Sequence, residues 1–239
     1  MMHKKRGYKR DTPIELVRDY KLFAIACEGS KREPCYFNLF QYISCKIKVD
    51  VIEDKVSNIE MQRIYDTNSA PKWVLDRAVR YIEKEGLLDE DELWFVMDVD
   101  RWTENQLREI AHYCEQKTNW NIVFSNPCFE VWLYFHKKAN IRNSKSSDCS
   151  QFKFEISKFE KGGYHPYKFI YYLKDAISNS KAADSHPEHF MPSFKETKVY
   201  QLAEALITTI GQRDFDDFLK VKLPMLIKTE IKSKKAKKK

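Results

Sequence analysis

Runs of apolar residues alternate along the first 140 positions with segments whose apolar residues recur every three or four. Leu22 to Cys27 has the length and unbroken hydrophobicity of a strand buried on both faces, as in a parallel sheet. Gly29 then permits a tight turn, and Pro34, Tyr36, Phe37, Phe40 and Ile43 fall at helical spacing. The stretch KIKVDVI from Lys46 alternates polar and apolar, the pattern of a half-exposed second strand. Ser69 and Pro71 open a helix that carries Trp73, Val74, Ala78 and Ile82 and stops at Gly86. ELWFVM is the third strand, Thr103 to Gln106 reads as a capping box opening a helix to about Gln116, and NIVFS is the fourth strand. The aromatic helix CFEVWLYFH follows Asn126-Pro127. Repeated strand-helix alternation predicts an α/β fold with a parallel sheet of about four strands flanked by helices.

The alternation stops near Asn140. Residues 141–163 are polar, rich in Lys and Ser, and carry no assignable element. Beyond them, Tyr167 to Ser178 and Lys195 to Ile210 read as helices, and Phe215 to Ile227 as a third that Pro224 would interrupt. The expected organisation is a basic arm (1–20), an α/β domain (21–140), a mainly helical extension packed on it (141–230) and a disordered Lys-rich tail (231–239).

Charge refines this division. The net charge of +7 is concentrated at the ends: the first ten residues carry five cations and the last nine carry six, with no acid in either stretch, which leaves −4 for residues 11–230. Such blocks serve as electrostatic arms toward a phosphate backbone or as solubilising tails. No apolar run approaches the ~20 residues of a bilayer span, and no signal-peptide pattern is evident, so the expected location is the cytoplasm without membrane attachment. The six cysteines form no C-x-x-C pair, which argues against a zinc site or a disulfide framework.

The candidate chemistry sits where the strands end. Glu28 closes the first strand, Asp98 and Asp100 the third, and Asn126 with Glu130 follow the fourth, at the sheet edge where open α/β folds place their sites. If Val99 continues the strand, Asp98 and Asp100 point the same way. Carboxylates gathered there need cations, and an oxygen-only set suits Mg²⁺, with Mn²⁺ as an alternative. A lone D-x-D is equally compatible with a helix cap or turn. Cys27 is expected to pack inward. His186-x-x-His189 could be a ligand pair or a surface loop, and Phe129, Trp132 and Phe135 base-stacking groups or core.

ACEGSKREPCYF, FVMDVDRW and SNPCFEVWLYFH, in this order, resemble the RloB-like family, a branch of the Toprim domains related to AbiLii and to OLD-type nucleases. The resemblance spans about residues 20–210. It implies that Glu28 matches the Toprim glutamate, acting as general acid or base or as a ligand, and that Asp98 and Asp100 match its metal-binding D-x-D. Glu33 and Glu130 match two further family acids and would hold a second ion. It further implies a Mg²⁺-dependent nuclease of antiviral defence that cuts DNA or RNA, with tRNA as one candidate substrate. An ABC- or AAA-type ATPase would act in trans, because the chain has no G-x-x-x-x-G-K-[ST] of its own. Ser30 and Arg101 stand where relatives commonly carry acids, which weakens the second metal position and motivates an alternative: a catalytically degenerate module that binds an ATPase or nucleic acid. Lys31, Arg101, Asn126, Lys195 and Lys198 are candidate substrate contacts. The oligomer is open, a homodimer being one option.

Overall fold

The computed structural model describes residues 19–52 and 71–236, with side chains to residue 229. In chain order the elements are β1 (Lys21–Cys27), α1 (Arg32–Phe37), a 3₁₀ turn (Phe40–Tyr42), β2 (Ile47–Val51), α2 (Pro71–Glu85), β3 (Glu92–Asp98), α3 (Glu104–Cys114), β4 (Trp120–Asn126), α4 (Glu130–Phe135), α5 (Cys149–Ser157) and α6 (Pro166–Phe169). A second 3₁₀ turn (Ile170–Tyr172) leads to α7 (Leu173–Ala183), β5 (Glu196–Thr197), α8 (Val199–Ile210), α9 (Gln212–Asp217), a π-helical turn (Phe218–Lys222) and α10 (Leu223–Ala236). The basic arm expected at 1–20 falls almost wholly outside the described residues, as does Ser69.

The sheet order is β2-β1-β3-β4-β5, with β1 to β4 parallel and β5 antiparallel to β4. Strand alternation divides the core in two. Phe23, Ile25, Trp94, Val96 and Val123 meet the aromatic residues of α1 and α4 and the apolar face of α8, whereas Ala24, Ala26, Leu93, Phe95, Met97 and Phe124 meet Val74 and Ala78 of α2 and Leu107 and Ile110 of α3. Both faces are covered, which is why β1 and β3 read as continuous apolar runs. The Thr103 capping box forms as its spacing predicts: the Gln106 amide donates to Thr103 Oγ1 and the Thr103 amide donates to Gln106 Oε1.

Three details differ from the sequence expectation. The sheet has a fifth strand, two residues long, taken from the region read as the start of a helix; the Lys195 and Lys198 amides donate to the Asn126 and Phe124 carbonyls and zip it onto β4. Helix α5 lies in the segment without an assigned element, where Asp148 caps it by accepting from the Gln151 amide. Pro224 does not end the helix: helical structure runs without a break from Gln212 to Ala236, and the π-helical turn Phe218–Lys222 lies just before the proline. That helix runs to Ala236, into the segment expected to be a free tail.

From β1 the chain crosses to β2 on one side and later continues through β3 on the other, so the direction of winding reverses between β1 and β3. Open α/β sheets leave a crevice at the carboxyl ends of such strands. Glu28 and Asp98 stand at its two walls.

Candidate active site

The ladder carries one step past β1: the Glu28 amide donates to the Val96 carbonyl at 3.0 Å, which places the Glu28 side chain over the end of β3. There Oε2 accepts from the Asp98 amide and Oε1 from the Trp102 indole, each at 3.0 Å. Burial pushes the Glu28 carboxyl up to about 7; the two hydrogen bonds oppose the rise, while Asp100 and Glu33 add to it.

Gly29 has a specific task in the turn that follows. A Cβ at this position would fall on the Glu33 carboxylate, so the glycine lets Glu33, in the first turn of α1, fold back over the loop. Glu33 is buried and is also pushed up to about 7, by burial first and then by Glu130, with Lys153 and Arg32 pulling the other way.

Across the crevice, Asp98 Oδ1 accepts from the Phe129 amide at 2.8 Å, and burial together with Glu33, Glu28 and Glu130 holds its carboxyl well above the usual range. The strand stops at Asp98, so Val99 does not continue it: Val99 packs on the α2/α3 side of the sheet, and its amide and that of Asp100 both donate to the Pro127 carbonyl at 3.2 and 3.1 Å, which puts Asp100 on a turn rather than on the strand face of Asp98. Asp100 Oδ2 accepts from the Cys149 thiol at 3.0 Å and lies 3.7 Å from Arg101 Nε. Glu130, 2% exposed at the start of α4, pairs with Arg32 Nη1.

All five predicted acids therefore share one crevice and influence one another. Lys31 lies on the α1 side of it and Arg101 on the β3 side, both exposed. The other three candidate contacts are engaged elsewhere. Asn126 Nδ2 donates to the Pro192 carbonyl, and Lys195, in a left-handed conformation at φ 68°, donates to the Ser144 carbonyl. Lys198, expected at a solvent-facing helix start, is 1% exposed; its ammonium is consumed by both oxygens of Asp184 and by the His186 carbonyl. His186 and His189 sit on an exposed loop beside Glu188, and among the described residues they belong to no group of three or more metal-ligating side chains. Cys27, Phe129, Trp132 and Phe135 are core.

Sequence reasoning did not single out Arg32, Arg77, Trp102 or Cys149. Arg77 reaches across from α2 to donate to the Cys27 carbonyl at 2.7 Å, next to Glu28. Only the position of Arg32, inside the first acidic motif, offered a signal; the rest approach the crevice through tertiary packing.

Among the described residues, no three or more His, Cys, Asp or Glu side chains already converge as a metal cage. The donor chemistry nonetheless fits a hard cation. Glu28, Asp98 and Asp100 present carboxylate oxygens only, and the Glu28 and Asp98 carboxyls are raised first by burial and further by the neighbouring acids.

A family model described as RloB-like protein matches residues 23–206, from the first strand to within α8, and takes in all five acids. The chain belongs to the RloB-like family. No curated protein and no solved structure matches it. No helix among the described residues of this RloB-like chain is long and apolar enough to cross a membrane.

Proposed function

We propose that this RloB-like protein is a Mg²⁺-dependent phosphodiesterase of the Toprim type, a nuclease effector of antiviral defence that cuts DNA or RNA and works with an ABC- or AAA-type ATPase supplied in trans. The supporting observation is the meeting of Glu28, Asp98 and Asp100 at the winding reversal of the sheet, with the Glu28 carboxyl near 7. Buried acids so placed destabilise the apoprotein, and binding a cation relieves that cost.

Glu28, Asp98 and Asp100 would hold the ion, and the ion would neutralise charge developing on the phosphate. Without metal a Glu28 carboxyl near 7 is about half ionised at neutral pH, so the ion would compete with a proton for it, binding at Oε1 once the Trp102 indole releases that oxygen. The Asp98 amide would keep Oε2 in place. The Phe129 amide, donating to Asp98 Oδ1, would hold that carboxylate in place while Oδ2 takes the ion. The basic chain ends would offset the −4 of residues 11–230 when a polyanion approaches.

The test is cleavage of supercoiled plasmid and of tRNA in Mg²⁺ or Mn²⁺, with the chain alone and with the ATPase encoded beside it. Metal-dependent cuts that disappear in Asp98→Asn support the proposal, and intact substrate under every condition sinks it. One observation favours the degenerate-module reading: Glu130 is already taken by Arg32. Calorimetry separates the two, because a module without a metal site gives no heat with Mn²⁺ at millimolar concentration.

A further inference from the structure

The Arg32–Glu130 pair is unusual for a residue expected to ligate metal. Glu130 is almost completely buried and its Oε1 is held by Arg32 Nη1, so the carboxylate is neutralised before any ion arrives. A guanidinium has five N–H donors in a rigid fork. The Arg32 side chain keeps 32% exposure, and one of its faces rests on the Tyr164 ring with Cζ 5.8 Å from the centroid. Tyr164 supplies a second, independent sign of a missing ligand: its hydroxyl is buried without any hydrogen-bond partner, in a place where it feels the charges of Glu33 and Arg32. A buried hydroxyl with no partner costs roughly 1–3 kcal/mol, which a ligand oxygen would recover.

We propose that Arg32 takes the place of a second metal ion: the chain binds one divalent cation, Glu130 positions the Arg32 guanidinium instead of ligating metal, and Arg32 together with the Tyr164 hydroxyl grips a non-bridging oxygen of the substrate phosphodiester. This rests on the metal-dependent reading above and specifies it. The +1 charge of Arg32 is fixed in position, whereas a second divalent ion would require Glu33 and Glu130 to be free. The guanidinium also has the planar, forked geometry suited to phosphate.

Two measurements without turnover test the proposal. Mn²⁺ is titrated calorimetrically into the full chain, and a labelled single-stranded oligonucleotide, as DNA and as RNA, is titrated in Ca²⁺ by anisotropy. The wild type should take one Mn²⁺, Arg32→Ala two, and Glu130→Gln one. Arg32→Ala and Glu130→Gln should each weaken oligonucleotide binding about tenfold. Arg32→Ala should also flatten the slope of log K against log salt by roughly 0.7 to 0.9, the loss of one phosphate contact. Tyr164→Phe should weaken binding without changing the ion count, and should raise rather than lower the melting temperature of the free chain, because the unpartnered hydroxyl is removed. Two ions in the wild type, loss of the ion in Glu130→Gln, or unchanged oligonucleotide affinity in a folded Arg32→Ala chain would each overturn the inference while leaving the nuclease reading intact. If Arg32→Ala does not fold, the Glu130→Gln and Tyr164→Phe results decide. No Mn²⁺ bound by the wild type would remove the metal centre itself, and the inference with it.

Discussion

Raising the pH in the absence of metal should destabilise this protein, and a divalent cation should reverse the loss. Glu28 and Glu33 ionise near 4.5 in an unfolded chain and at about 7 in the fold. Between these values the folded state binds more protons than the unfolded one, so stability falls as pH rises; the penalty is absent below about 4.5 and complete above about 7. At about 1.4 kcal/mol per pKa unit, each acid removes about 2.5 kcal/mol between pH 5 and pH 8. His136 works the opposite way. Buried between the Tyr36 hydroxyl and the Trp132 carbonyl, it is pushed down to about 3 and stays neutral in the fold, so as pH rises from 5 through 6.5 the unfolded state loses its advantage of binding a proton. That returns about 2 kcal/mol. The net loss is about 3 kcal/mol, or about 6–12 °C in Tm for a chain of this size. Circular-dichroism melts in EDTA at pH 5, 6, 7 and 8 should show the fall. Mg²⁺ at a hundred times its Kd should restore about 2.7 kcal/mol at pH 8 and little at pH 5, where the acids are protonated. The Glu28→Gln/Glu33→Gln chain should lose much less stability over the same range, because only the raised Asp98 carboxyl is left to oppose His136. A Tm that is flat or rising from pH 5 to 8 in the wild type, or indifferent to Mg²⁺ at pH 8, would refute the reasoning.

Other substitutions probe single links. Gly29→Ala places a methyl on the Glu33 carboxylate and should lower Mn²⁺ affinity by roughly 10–100-fold, as displaced supporting groups do, with far-ultraviolet dichroism unchanged. Trp102→Phe removes a donor to the ionised form of Glu28, worth about 1.5–3 kcal/mol, and should move the acidic limb of the pH–rate profile up by about one unit or more. Lys198→Met leaves the buried Asp184 carboxylate without a counter-charge, held by the Tyr200 hydroxyl and the His186 amide, and should cost about 3–5 kcal/mol in denaturant unfolding while leaving Mn²⁺ binding by the folded protein unchanged. No shift in Cm for that variant would mean that the ion pair is dispensable.

The parts of this fold that were readable in the sequence are those that local chemistry determines. Leu22 to Cys27 and Leu93 to Met97 sit under helices on both faces, so their side chains are apolar without alternation, and the acids that follow them are conspicuous as the first polar residues after a buried run. Thr103 and Gln106 satisfy each other within one turn and need no tertiary partner. By contrast, β5 consists of two residues and exists because the Asn126 and Phe124 carbonyls at the edge of β4 accept from the Lys195 and Lys198 amides; nothing in Glu196-Thr197 alone marks a strand. Lys198 illustrates the same limit. A lysine after a polar loop normally faces water, and its burial follows from Asp184, fourteen positions earlier, whose carboxylate is also buried. The site divides along the same line. Its acids come from strand ends, whereas Arg32, Tyr164 and Cys149 contact partners 98, 132 and 49 positions away in sequence, so only folding brings them together.

The central claim is that carboxylates from two neighbouring strand ends hold a divalent cation. Anomalous diffraction from crystals soaked in Mn²⁺ tests it most directly, since the peak reports the position of the ion independently of any substrate or partner. The account predicts one peak per chain, bonded to oxygens of Glu28, Asp98 and Asp100, that vanishes in Asp98→Asn crystals. No peak in that crevice, or a peak only at His186 and His189, would contradict it.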